Sequence, residues 1–147
     1  MIGKMDEYLI HQAVATLDQV ASDDLNWQDR FYFNLHDQEG KFVAITGLGA
    51  FPNRRTVEAY LFAIYDDHHY TYFVNRSLNN DREEMSAGGL AFSVVEPLKA
   101  WRLQIEDREN AIKADLEFRA RFQPYQFKPI FWRKGDKVVA HQMHYTQ

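Results

Sequence analysis

From Ile112 to Arg121 the chain alternates without a break between apolar and charged side chains. On an extended backbone Ile112, Ala114, Leu116, Phe118 and Ala120 share one side, and Lys113, Asp115, Glu117, Arg119 and Arg121 share the other. A helix, with its period of about 3.6 residues, would scatter both sets around its circumference. One dry face and one wet face mark an antiparallel sheet, since parallel strands are covered on both sides and read as continuous apolar runs.

The same period recurs along most of the chain. Asp29 to His36 sets Phe31, Phe33 and Leu35 against Arg30, Tyr32, Asn34 and His36, and Asp37-Gln38-Glu39-Gly40 follows as a turn signal. Lys41 to Phe51 reads as a second strand, interrupted by Gly47 and Gly49. Pro52-Asn53-Arg54-Arg55 turns the chain into Thr56 to Tyr65, and Asp66-Asp67-His68-His69 into Tyr70 to Asn75. Asn79 to Gly89 is a polar loop. Leu90 to Val95 and Ala100 to Glu106 flank Glu96-Pro97-Leu98-Lys99, with Trp101, Leu103 and Ile105 on one face. Gln123 to Phe131, holding Pro124 and Pro129, is irregular, and Trp132-Arg133 and Lys137 to Tyr145 form a closing hairpin. This pattern predicts an all-β, antiparallel, lipocalin-like up-and-down barrel or sandwich of about eight or nine strands.

Residues 1–25 are ambiguous. Leu9, Ala13, Leu17 and Val20 fit a short helix, while β-branched Ile10, Val14 and Thr16 fit an extended arm. No repeat or linker divides the chain, and 147 residues are expected to make one domain. A domain near this size buries roughly 70% of its unfolded surface and needs no disulfide or metal to stand.

Composition narrows the function classes. Aromatic residues reach 15%, which favours strands and suits a pocket or an interface. The net charge of −4 comes without a basic run, so nucleic acid is not an expected partner. The absence of cysteine excludes disulfides and thiolate chemistry. Met1 to Leu9 has no apolar signal core and no stretch approaches a membrane span, so a cytoplasmic address is expected.

Gly47-Leu48-Gly49 resembles the start of a dinucleotide fingerprint, but Pro52 occupies the third glycine position and Arg54-Arg55 follows where a helix should open. Glycines within a strand instead signal a bulge, tight packing, or close approach of a ligand. His68-His69 falls in a turn, and His141 and His144, three apart on one strand, point to opposite faces; no metal is expected. None of Ser22, Ser77, Ser86 and Ser93 sits in a nucleophile elbow.

Glu58 shares a strand face with Tyr60, Phe62 and Ile64. A carboxyl among aromatics is suited to general acid–base work; alternatively it reaches solvent or pairs with Arg54 or Arg55. Tyr32 and Asn34 either line a barrel interior as polar handles or face water. Tyr32, Asn34, Tyr60, Phe62 and His144 are the candidate ligand contacts, and Glu58 is the candidate acid.

Several stretches carry a family resemblance. Trp27-Gln28-Asp29-Arg30-Phe31-Tyr32-Phe33-Asn34, Gly49-Ala50-Phe51-Pro52-Asn53-Arg54-Arg55, Val94-Val95-Glu96-Pro97-Leu98, Asp115 to Arg121 and the closing Tyr145-Thr146-Gln147 resemble the carotenoid 1,2-hydratase-like (hydroxyneurosporene synthase-like) group. The resemblance implies two packed lipocalin-like domains, of which this chain is similar to the first, with an apolar site in or between them. It also implies hydration or isomerisation of apolar natural products without a redox cofactor, so no cofactor is expected. In that reading Glu58 protonates an alkene while the ring faces of Tyr32 and Tyr60 stabilise the developing cation. Expected partners are an apolar small molecule (isoprenoid, lipid or polyketide-like) and either a second β-barrel domain or another copy of the chain. Two alternatives stand beside it: a non-catalytic carrier or interaction module of the same fold, and a steroid-isomerase-like α+β cone with several N-terminal helices.

Overall fold

A computed structural model describes residues 3–9 and 16–146. Alternation becomes two four-stranded antiparallel meanders. The first runs β1 (Asp29–His36), β2 (Phe42–Phe51), β3 (Thr56–Tyr65) and β4 (His68–Ser77) in spatial order. The second runs β5 (Ser86–Ala87), β6 (Leu90–Glu96), β7 (Ala100–Asp107) and β8 (Ile112–Arg119). Two short ribbons follow, β9 (Tyr125–Gln126) with β12 (Tyr145–Thr146) and β10 (Ile130–Lys134) with β11 (Lys137–Gln142).

The sheets face each other through the residues that alternation sets inward. Phe31 lies 4.8 Å from Trp101 and 5.2 Å from Phe92, and Phe33 lies 4.9 Å from Phe118, between ring centroids. Val57, Leu48 and Leu61 of the first sheet and Leu90 and Leu103 of the second are fully buried among them. This is a sandwich rather than a closed barrel. The ladder stops between β4 and β5, where β5 is only two residues long. Side chains bridge the seam instead: Arg76 donates to the carbonyls of Ser86 and Glu84, both at 2.6 Å, and the Gly89 amide donates to the Tyr72 hydroxyl at 3.2 Å. Aromatic side chains fill the space between the sheets, where a barrel would have enclosed a ligand.

The α+β cone is not this architecture. Among the described residues the only helical segments are short 3-10 turns at Lys4–Glu7 and Pro52–Arg54. Leu17 is buried in a turn rather than on a helix, and Ala13, the middle of the expected helix, lies outside the described residues. His68 and His69 open β4 instead of sitting in the turn, which Asp66 and Asp67 make alone with positive φ. The polar loop and the proline-flanked stretch each contribute one two-residue strand, β5 and β9, too short for periodicity to reveal.

Glu7 is the one buried carboxylate of the N-terminal turn, and its burial is compensated by donors. The Trp101 indole donates to it at 2.6 Å, and the Leu98 amide donates to its other oxygen. Tyr145, from the opposite end of the chain, donates to the Asp6 carbonyl at 2.9 Å. The N-terminal turn is thus clasped to the β6–β7 turn region, and Tyr145 to the N-terminal turn. Glu7→Ala strands the Trp101 N–H and is expected to cost about 2–3 kcal/mol in urea denaturation.

Burial first, then the carboxylates of Glu7, Asp6 and Asp29, raises the Tyr145 phenol above its ordinary value. The fold therefore favours the neutral phenol, whose contribution is complete below the unfolded value of about 10 and is lost as pH rises through the raised one. Tyr145→Phe is expected to flatten the alkaline loss of stability above about pH 10, read by denaturant midpoint against pH.

Candidate functional site

The two outward faces of the sandwich differ in kind. On the second sheet the outward residues form a lattice of ion pairs, including Arg102 with Asp115, Arg119 with Glu117 and Arg108 with Glu106. This is a solvated surface. On the first sheet the outward residues are largely apolar and aromatic, and Tyr32, Val43, Ile45, Phe62, Ile64 and Phe73 are all exposed. Contiguous exposed apolar faces of this kind are uncommon on folded domains.

Strand register orders that face into rows. Arg30, Gly49, Glu58 and Asn75 stand opposite one another, then Tyr32, Gly47, Tyr60 and Phe73, then Asn34, Ile45, Phe62 and Thr71. The two glycines lie on β2 in adjacent rows, so the centre of the sheet has no side chains between β1 and β3. The result is a hollow of about 240 Å³ lined by Gln28, Arg30, Leu48, Gly49, Phe51, Glu58, Tyr60, Phe62 and Phe73. Tyr60 and Phe62 tilt against each other with centroids 5.3 Å apart.

The two glycines serve different ends. A Cβ on Gly47 would stand 2.4 Å from the Phe31 carbonyl oxygen, so this position is closed by neighbouring backbone. The β1–β2 register runs unbroken from Asp29↔Ala50 to His36↔Val43, so the expected bulge is absent and close strand packing takes its place. A Cβ on Gly49 would meet only side chains, the Phe51 ring at 3.3 Å and the Arg30 Cβ at 3.4 Å. Gly49 is the floor of the hollow.

Charge gathers at one end. Arg54 stacks 3.9 Å over the Phe51 ring and reaches the Glu58 carboxylate at 3.4 Å. Glu58 therefore stands on the open outer face with a cationic partner, not in a dry interior, which is the Arg54 pairing that its place near the strand end allowed. In that pairing it is an acceptor. Burial raises the Tyr60 phenol above its ordinary value, with Arg30 pulling the other way, so it serves as a neutral hydroxyl at physiological pH.

Of the candidate residues, Glu58, Tyr60 and Phe62 are brought together in the hollow. Tyr32 and Asn34 share the outer face but do not line it; both point to solvent rather than inward. His144 is elsewhere: it follows β11 rather than lying within it, stacks 4.3 Å from Phe127, and leaves a buried Nδ1 without a hydrogen-bond partner. Gly49 is one of the two strand glycines for which close approach of a ligand was an expected role, whereas Gln28, Arg30 and Phe73 were not among the candidate residues. Arg30 and Phe73 become visible only once β1, β2, β3 and β4 are laid in register, which sequence periodicity alone does not supply.

Among the described residues no group of three or more His, Asp or Glu is arranged to hold a metal ion, and no helix is long and apolar enough to cross a membrane. A model for a family of unknown function (DUF8625) matches residues 2–147, and the chain belongs to that family. Comparison with curated proteins gave no match, and neither did comparison with solved structures.

The glycine geometry separates two substitutions of equal size. Gly47→Ala is expected to cost about 2–3 kcal/mol in urea denaturation, because backbone must move. Gly49→Ala is expected to stay within about 1 kcal/mol, since only side chains must yield.

Proposed function

We propose that this member of the DUF8625 family binds an apolar small molecule of isoprenoid, lipid or polyketide-like character on the outer face of its first sheet. One observation carries the reading: an exposed aromatic face with a glycine-floored hollow ends in a charged row of Arg30 and Glu58. The opposite outer face is laced with ion pairs and has no such apolar field. A ligand with an apolar body and one polar end suits this division, its body on Tyr60, Phe62 and Phe73 and its polar group toward Arg30 or Glu58. The hollow is smaller than the roughly 300–1,000 Å³ of sites that enclose a drug-sized molecule, so the ligand lies along the face. A cytoplasmic address accords with the lack of cysteine.

A second reading, hydration or isomerisation with Glu58 as acid, is favoured by Glu58 sharing the hollow with Tyr60. The Arg54 contact weighs against it, since the carboxylate is already engaged as the acceptor of an ion pair. Carriage is therefore the reading put first. Native mass spectrometry of protein from its natural host is expected to detect a retained apolar compound. Tyr60→Ala and Phe73→Ala are each expected to weaken its binding about tenfold. Affinity unchanged in both variants would contradict the site. Product formation from the retained compound that Glu58→Gln abolishes would promote the second reading over the first.

A further inference from the structure

The β10–β11 hairpin has the surface of a buried element and the environment of an exposed one. Every residue of both its strands is exposed, including Phe131, Trp132 and Val139. A two-stranded ribbon by itself is marginal in water and gains stability by covering its apolar side chains. Its charge is also distinctive. Residues 120–147 carry five basic and one acidic side chain, a charge of +4, whereas residues 1–119 carry twelve against twenty, a charge of −8. The basic excess gathers at the hairpin tip, where Arg133, Lys134 and Lys137 flank Gly135.

The outer face of the first sheet offers the complement. At the end remote from Arg30 and Glu58 it exposes Val43, Ile45 and Ile64. That end is rimmed by the β1–β2 and β3–β4 turns, which carry Asp37, Glu39, Asp66 and Asp67. Lys41 answers only one of these charges, through its contact with Glu39 at 2.6 Å.

We propose that the hairpin of one chain docks on the outer face of a second copy, basic tip toward the acidic turns, to form a two-fold dimer. Each chain carries both surfaces, so a two-fold axis makes the contact twice and closes the assembly. Phe131 lies over the Ile45–Ile64 region while Lys134 and Lys137 meet Glu39 and Asp67. Five residues of strand span roughly 17 Å, about half the length of β2, so the hollow at the other end of the face stays open. The dimer therefore stands or falls independently of the ligand.

Sedimentation velocity on the full chain tests it. The native chain is expected to sediment as a dimer at roughly 100 μM, well within the range of a standard-sized interface. Lys134→Glu with Lys137→Glu, and separately Glu39→Lys with Asp67→Lys, are each expected to yield monomer, because both contacts in either homodimer then oppose like charges. Mixing the two variants is expected to restore a dimer, since every contact is again between opposite charges. In the native chain the β10–β11 amides are expected to exchange more slowly as concentration rises, a measurement that needs no substitution. A native chain that remains monomeric, variants that dimerise as well as the native chain, a mixture that stays monomeric, or amide exchange independent of concentration would overturn the proposal.

Discussion

The contact between Phe31 and Phe33 on one sheet and Phe92, Trp101 and Phe118 on the other holds the rest of the molecule in place. It joins β1, an edge of the first meander, to three strands of the second, and so fixes how the sheets lie face to face. Edge-to-face and tilted ring pairs add about 0.5–1.5 kcal/mol each beyond their buried area. Because strand side chains alternate, committing the odd-numbered residues of β1 to this cluster commits Arg30, Tyr32 and Asn34 to the opposite side. Register then carries that decision across β2, β3 and β4. The outer face and its hollow are consequences of the core.

Much of this was legible in the residues, for a physical reason. Period-two alternation reports directly which side chains face the core, so β1, β3, β7 and β8 and the inward turn of Phe31, Trp101 and Phe118 could be read from spacing. The split into two sheets could not, because it depends on β5 being too short to extend the ladder and on Arg76 and Tyr72 bridging the gap. The N-terminal turn was equally hidden: Glu7 is buried by Trp101 and Leu98, more than ninety residues away in sequence. For the site, the grouping of Glu58, Tyr60 and Phe62 followed from alternation, but alternation is blind to which group of a strand faces outward when both are apolar. On β3 the small residues Ala59 and Ala63 pack inside and the large Tyr60 and Phe62 lie outside. His144 lies apart from the hollow, beyond a strand that ends at Gln142, a boundary no local signal marks.

The inversion on β3 has a packing cause. β3 is a central strand whose inner side faces the aromatic cluster, and the large rings of β1, β6 and β7 already occupy the space between the sheets. Small inner residues fit beneath them, as large and small side chains must alternate across a filled core. The outer side is free of that constraint and carries bulk that the core does not need. Apolar bulk held in water without a packing reason supports the proposed binding face.

The outer apolar face depends on the sidedness of β3, and the absence of cysteine makes that sidedness directly measurable. Leu61 and Phe62 are neighbours in the chain, yet Leu61 is 2% exposed and Phe62 is 47% exposed. Single Leu61→Cys and Phe62→Cys chains, labelled with a thiol reagent under native conditions, report the two faces separately. The Phe62→Cys thiol is expected to react at nearly the rate of an unfolded peptide, and the Leu61→Cys thiol at least about a thousandfold more slowly, through opening of the fold. Equal rates, or the reverse order expected from a register displaced by one residue, would contradict the account.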